Sequence, residues 1–305
     1  MFLQLSTDQH SAIQGICDTL LNPADNHHAL AILTGSAGTG KTTVVSYLIE
    51  EANKRTPERS IKLCASTHRA AHVLSTVVGD KVTTIHKLFG LRPSVTKFGK
   101  EVLKNMGTAE FARNTLVIID ESSMIGNNFL KAIAETVQKR GLKVLFVGDP
   151  FQLPPTKDIC SLFDESIPTF QLTKVHRQAL GNPILAKATQ FRDYIRGDIS
   201  EIPKIEQTIN DEGDGIHVMK HEDFVTEFVK KYLGYSAGDE VDIPMCTYTN
   251  ASAINYNSMI RKATFFLEGT IEPFYIDERL ISNSAVMLNG RIAVANNEPV
   301  HVISF

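Results

Sequence analysis

The sequence predicts an α/β protein in which parallel sheets are flanked by helices, built as two units in tandem. Three observations lead there. Short apolar runs alternate with helix-period segments in the first half, a glycine-rich loop joins one of those runs to a helix, and the alternation restarts after a polar stretch around residues 201–215. At 305 residues the chain is long enough for each unit to bury its own core.

In order, the runs ALAIL (29–33), IKLCAS (61–66), LVIID (116–120) and KVLFVG (143–148) are of strand length and largely apolar, as strands buried on both faces of a parallel sheet must be. After the first run, Val45, Leu48, Ile49 and Ala52 fall at i, i+3, i+4 and i+7, placing one apolar stripe on a helix that starts inside the glycine-rich loop. A helical stretch from Asn182 through Arg196 comes next, then the linker-like segments EIPKIEQ and DEGDG. The pattern resumes with IHVM (216–219), an amphipathic segment from Glu222 to Leu233, the strand-like IPMCTY (243–248) and a helix-like stretch from Ala251 to Lys262. The end is strand-rich, with AVML, RIAVA and PVHVISF. No short-period repeat is present, which excludes solenoid architectures.

Composition narrows the function classes. The formal net charge of −3 argues against holding nucleic acid by bulk electrostatics. Locally the balance differs: residues 91–113 carry Arg92, Lys97, Lys100, Lys104 and Arg113 against Glu101 and Glu110, an excess of three positive charges. Cys17, Cys64, Cys160 and Cys246 form no C-x-x-C pair, so neither a disulfide framework nor a zinc site is indicated and a reducing cytoplasm is expected. The start, MFLQLSTDQH, lacks the charged and then apolar pattern of a signal peptide, and no apolar stretch reaches the length of a membrane span. No membrane partner is expected.

The strongest motif is GSAGTGKTT, residues 35–43, which matches the phosphate-binding pattern G-x-x-x-x-G-K-[ST] between a predicted strand and a predicted helix. It predicts a site for a nucleoside triphosphate, ATP with Mg2+. Gly35, Gly38 and Gly40 let backbone N–H groups converge on phosphate oxygens, together with Ser36, Ala37, Thr39 and Thr43 of the same loop. Lys41 bridges the β- and γ-phosphates, and the Thr42 hydroxyl ligates magnesium.

LVIIDES (116–122) ends a buried strand in Asp120 and Glu121, which delivers two carboxylates to the sheet edge beside the phosphates. Asp120 is expected to hold the magnesium or its water, and Glu121 to orient and deprotonate the attacking water. LFVGDPFQLPP (145–155) ends another strand with Asp149 and then Gln152, a neutral side chain able to hydrogen-bond both water and γ-phosphate. LTKVHRQ (172–178) offers Arg177, whose guanidinium suits charge spreading over a transferred phosphoryl group but reads equally as a surface arginine. In STDQ (6–9), Ser6 and Gln9 form a helix-capping pair.

Taken in order, TDQ, GSAGTGKTT, CASTHRAAHVL (64–74), TTIHKLFG (83–90), VIIDESSM, FVGDPFQLPP, LTKVHRQ and TYTNASAINYNSMIR (247–261) resemble the superfamily 1 helicases, in particular the Dda- and RecD-like group. The resemblance covers nearly the whole chain. It implies two RecA-like P-loop NTPase domains, residues 1–178 and 179–305, closing on ATP. It also implies ATP-driven 5′ to 3′ movement on single-stranded DNA, with unwinding at junctions between single and double strands, in replication, recombination or repair and alongside proteins of those processes. Carried over by residue, Gln9 would read adenine, Thr67 and His68 would contact the DNA strand, His86 would lie near the same track, and Arg177 would reach the γ-phosphate. The basic stretch 91–113 falls where these helicases insert a small subdomain bearing a strand-separating pin. Phe98 is the candidate wedge there, or a locally packed aromatic. Thr67 and Thr84 also read as helix N-caps, and His68 and His86 as ordinary histidines.

The group's late T-x-H-x-x-Q-G segment and its final arginine have no match before Phe305. The second domain is therefore expected to be incomplete, the chain being a truncated form or one completed by another chain, and is expected to bind ATP but unwind poorly. A non-motor, ATP-dependent DNA-binding module and a P-loop ATPase unrelated to nucleic acid are the competing expectations.

Overall fold

The computed structural model describes residues 5–22, 28–95, 101–107, 109, 111–155, 158–164, 166–174, 182–234, 245–265, 273–281, 286–288, 291–294 and 299–304. The chain divides into two units, Met1–Gln178 with Ser282–Glu298, and Ala179–Ile281 with Pro299–Phe305.

The first unit contains α1 (Thr7–Leu20), β1 (Leu30–Gly35), α2 (Lys41–Arg55), β2 (Ile61–Ala65), α3 (His68–Val78), β3 (Thr83–Thr84), α4 (Ile85–Leu88), β4 (Leu91–Val95), β5 (Glu101–Asn105), β6 (Leu116–Asp120), α5 (Asn127–Arg140), β7 (Lys143–Gly148) and β8 (Thr169–Leu172). Six strands form one sheet in the order β3-β2-β6-β7-β1-β8, and every neighbouring pair is parallel. The four apolar runs of the first half become β1, β2, β6 and β7. All of β7 and the first four residues of β6 are buried, as expected of strands covered on both faces.

Each face carries its own core. On one, Ile13, Ile16 and Leu20 of α1 and Val45 and Leu48 of α2 pack with Leu33, Ile118 and Leu145 of the sheet. On the other, Phe129 and Ile133 of α5 pack with Ile32, Ile119 and Phe146, joined by Phe89 and Phe111. The α2 stripe is rotated slightly from expectation: Val44 is fully buried and Ile49 sits on its flank.

Register brings the strand ends level. Gly35 lies opposite Leu172, Thr34 opposite Gly148, and Ala65 opposite Asp120. The segments after β2, β6, β7, β1 and β8 therefore emerge along one edge, where an open α/β sheet places its ligands. Where the small basic insertion was expected, β4 and β5 form an antiparallel hairpin. Phe98 lies outside the described residues.

The second unit contains α6 (Pro183–Arg196), β9 (Thr208–Ile209), β10 (Gly215–Ile216), α7 (His221–Leu233), α8 (Asn250–Thr264), β11 (Arg279–Ile281) and β14 (Pro299–His301); the hairpin of β12 (Val286–Leu288) and β13 (Arg291–Val294) belongs to the first unit. Two of its helices, α6 and α8, begin at side-chain caps. Asn182 accepts from Ile184 N–H at 2.9 Å with Pro183 in the first turn, and Thr249 accepts from Ser252 N–H at 3.1 Å. Among the described residues its paired strands are antiparallel and two-stranded, β10 with β9 and β11 with β14. Of the strand expected at 216–219, Ile216 alone is paired, and residues 245–248 are not in a strand. Among the described residues none of the three helices shows a buried residue.

Among the described residues no helix is long and apolar enough to cross a membrane.

Candidate active site

The phosphate-binding pattern sits between β1 and α2, as its spacing requires. Gly38 and Gly40 both have φ near 82°, a left-handed conformation that glycine adopts without penalty. Gly35 has no room for a side chain: a Cβ there would meet Thr39 Oγ1 at 2.5 Å and the Leu172 carbonyl at 3.2 Å. Thr39 is buried and its hydroxyl donates to the Ser36 carbonyl at 2.9 Å, closing the loop on itself. Gly40 caps α2 without a side-chain acceptor, so the first-turn N–H groups keep their hydrogen-bonding capacity toward the loop. Lys41 Nζ donates to the carbonyls of Gly35 at 2.7 Å and Ser36 at 3.2 Å, lying over the loop. Thr42 and Thr43 are half-buried in the same first turn, and Ala37 is exposed at the loop tip.

Asp120 ends β6 and Glu121 follows it in a strained conformation, φ 52° and ψ 44°, which a non-glycine residue seldom adopts. Glu121 N–H donates to Asp120 Oδ1 at 2.9 Å. Burial pushes the Asp120 carboxyl above its ordinary value, against the pull of that N–H and of the Lys41 ammonium. Glu121 is raised as well, first by burial and then by Asp120, with Lys41 opposing and Asp149 adding. Asp149, 1% exposed, accepts from Phe151 N–H at 3.1 Å.

Two adjacent carboxylates, both raised by burial and acted on by one ammonium, suit a divalent cation with a preference for oxygen, and Thr42 offers a hydroxyl of the same kind. Among the described residues no group of three or more His, Cys, Asp or Glu could hold a metal. Phosphate oxygens and water would complete the coordination, which is the habit of Mg2+.

Gln9, 4% exposed, joins the site from α1: its Nε2 donates to the Thr39 carbonyl at 3.0 Å while Oε1 accepts from Ser6 N–H at 3.0 Å. The helix-capping pair and a brace on the phosphate loop are thus one side chain. Gln152 stands exposed in the turn after β7, its N–H donating to the Asp149 carbonyl at 3.0 Å. Arg177 lies outside the described residues.

Farther along the edge, Thr67 is the N-cap of α3 and accepts from Ala70 N–H at 3.1 Å, with His68 next to it and exposed. Thr84 likewise caps α4. His86 packs edge-on against Phe129, centroids 4.9 Å apart, and burial together with nearby His68 holds its imidazole below the ordinary value. Thr67, His68 and His86 therefore share one neighbourhood. The sequence reading missed two members of the edge: Met124, exposed and in contact with Ser66 Oγ at 3.9 Å, and Asp8, whose carboxylate accepts from Thr173 and Lys174 N–H groups, each at 3.1 Å. Met124 closes the VIIDESSM segment and carried no spacing signal; the partners of Asp8 are backbone groups remote in sequence.

A family model described as AAA domain matches residues 4–210. The ATP-dependent DNA helicase dda of Enterobacteria phage T4 is 27% identical over 288 residues, covering 92% of this chain and 61% of that protein. The ATP-dependent RecD2 DNA helicase of Deinococcus radiodurans is 36% identical over 163 residues, 53% of this chain and 21% of that protein. An uncharacterized protein of Acanthamoeba polyphaga mimivirus, R530, is 28% identical over 298 residues, 90% of this chain and 58% of that protein. The relatives thus include those to which the order of motifs points, and the chain spans at most 61% of the length of these three. Among solved structures, the Pif1 helicase from Candida albicans superposes with a TM-score of 0.50 at 18% identity, covering 93% of this chain and 57% of that chain, a likeness of fold.

Proposed function

The chain belongs to the AAA domain family, and on that premise we propose that it is the ATP-hydrolysing part of a 5′ to 3′ DNA helicase. The observation that carries the reading is the convergence of Lys41, Asp120 and Glu121 on one sheet edge, with the electrostatics of both carboxylates set by burial and by that lysine.

The chemistry follows from these groups. ATP phosphates accept from the N–H groups of the loop and of the first turn of α2, and Lys41 exchanges the Gly35 and Ser36 carbonyls for phosphate oxygens. Thr42 and Asp120 would hold Mg2+, which when bound would draw negative charge from the phosphates. Glu121 accepts the proton of the attacking water, whose oxygen bonds to the γ-phosphorus as the bond to the bridging oxygen breaks and ADP leaves with the electron pair. The raised Glu121 carboxyl is suited to accepting that proton. Gln152 senses the γ-phosphate, and Arg177 neutralises the charge that develops on it.

Single-stranded DNA runs along the edge near Thr67, His68 and His86, and the β4–β5 hairpin with Phe98 meets the duplex junction. The setting is DNA replication, recombination or repair in a cytoplasm, that of a bacterial host if the gene is viral, with proteins of those processes as partners.

The test is strand release with ATP and Mg2+ from duplexes carrying a single-stranded tail. Release from 5′-tailed duplex is expected, with weak yield. Release confined to 3′-tailed duplex contradicts the polarity, and ATP-dependent DNA binding without release favours a non-motor module.

A further inference from the structure

β6 ends at Asp120, and Glu121 leaves it in the left-handed conformation, φ 52° and ψ 44°. In a residue other than glycine that backbone persists only where its surroundings fix it. The residue that follows supplies the fixing. Ser122 is fully buried, and its hydroxyl donates to the Val147 carbonyl of β7 at 2.9 Å. The pairing of β6 with β7 stops at Ile119 opposite Phe146, so Val147 lies one residue beyond the last pair. The hydroxyl thus continues the cross-strand bonding after the β6 backbone has turned away, and gives a partner to the carbonyl of a fully buried residue.

The seat is also closed sterically. A Cβ on Gly148 would meet Ser122 Oγ at 2.7 Å, Ser123 N at 3.2 Å and Ser122 N at 3.3 Å, so the turn rests directly on the β7 backbone, next to buried Asp149. Farther on, Met124 N–H donates to the Glu121 carbonyl at 3.3 Å and Ile125 N–H to the Ser122 carbonyl at 3.1 Å, and Ile125 is anchored in the core on the α5 face. Glu121 is therefore held between Asp120, fixed in the sheet, and Ser122, fixed to β7. The two serines of the turn differ. Ser123 is 3% exposed, and its hydroxyl has no hydrogen-bond partner among the described residues.

We propose that Ser122 is a positioning residue for ATP hydrolysis: its bond to the end of β7 holds the turn that aims the Glu121 carboxylate at the attacking water. The proposal rests on the ATP-site reading above, in which Lys41 and the glycine-rich loop bind the nucleotide and Glu121 serves the chemical step. Loss of the Ser122 hydroxyl should therefore spare binding and slow hydrolysis.

The experiment measures affinity for a non-hydrolysable ATP analogue with Mg2+, and single-turnover ATP hydrolysis, for the parent chain, Ser122→Ala, Glu121→Gln and the double variant. For Ser122→Ala, analogue affinity should stay near that of the parent while the rate falls about a hundredfold, the scale of misplacing a reacting group by roughly 1 Å. The double variant should hydrolyse no more slowly than Glu121→Gln alone. Ser122→Cys, which keeps a weak donor on the same stem, should lose less than Ser122→Ala, and Ser123→Ala, which removes the hydroxyl that carries no bond, should keep the parent's rate. Where Ser122→Ala does not fold, Gly148→Ala, which presses on the Ser122 hydroxyl without removing it, should show the same split between intact affinity and lost rate. Affinity that falls as far as the rate, an equal loss in Ser123→Ala, or losses that multiply in the double variant would overturn the proposal by making Ser122 a general support of the turn. A parent that does not bind the analogue or hydrolyse ATP sinks the ATP-site reading itself, and the proposal with it.

Discussion

At the scale of single residues the site is arranged against local stability. Glu121 holds a left-handed backbone conformation that costs a non-glycine residue about 1–2 kcal/mol, and its position directly after the buried end of β6 keeps it there. Glu121→Gly should therefore stabilise the chain by about 1 kcal/mol in denaturant unfolding while removing ATP hydrolysis; unchanged or lower stability would contradict the strain. Charge tells the same story. The Asp120 carboxyl is raised by burial, so the native state holds its proton at pH values where the unfolded chain has released it, and stability declines as pH rises from the ordinary carboxylate value through the raised one. Asp120→Asn removes that cost and should raise the melting temperature at neutral pH, with Mg2+-dependent nucleotide binding lost. Asp8 has the opposite sign. Its carboxyl is held down to about 2 from 3.8, so its contribution is complete above 3.8 and disappears as pH falls toward 2. Acid unfolding of Asp8→Asn should be correspondingly shallower in that window, and curves that coincide there would refute the role of these hydrogen bonds.

At the scale of elements, what the sequence revealed depended on whether a signal was local. The phosphate loop was legible because glycine, lysine and threonine at fixed spacing are the site's chemistry, and β6 and β7 because strands buried on both faces leave unbroken apolar runs. The helices of the second unit were legible as helical or amphipathic stretches, and α6 and α8 begin at the side-chain caps Asn182 and Thr249. By contrast β3 is two residues at a sheet edge and has no pattern to read. The strand expected at 216–219 is reduced to Gly215–Ile216, paired with the two residues Thr208–Ile209, a length at which periodicity carries no signal. Asp8 was missed because its partners are backbone N–H groups at the far end of the unit. Thr67 was read both as a DNA contact and as a helix cap, and its hydroxyl oxygen is engaged by Ala70 N–H. Thr67→Ala should cost about 1 kcal/mol of stability as a lost cap. Thermal unfolding and single-stranded DNA affinity measured on the same variant separate the roles: a stability loss with unchanged affinity assigns it to the cap, and weaker binding at full stability assigns it to DNA.

At the scale of the molecule, the first unit makes a rigid frame out of one parallel sheet with a core on each face. That frame holds the ends of β1, β2, β6, β7 and β8 level, so the glycine-rich loop, the Asp120–Glu121 carboxylates and the Thr67–His68 segment share one edge. On the proposed function, nucleotide at one end of the edge and DNA at the other would be coupled through the strands and helices between them. The most direct test is the steady-state rate of Mg2+-dependent ATP hydrolysis by the chain, with and without single-stranded DNA, beside the Lys41→Ala variant. Hydrolysis that DNA stimulates and that Lys41→Ala abolishes under both conditions is expected. A rate indifferent to DNA, or one that survives Lys41→Ala, would contradict it.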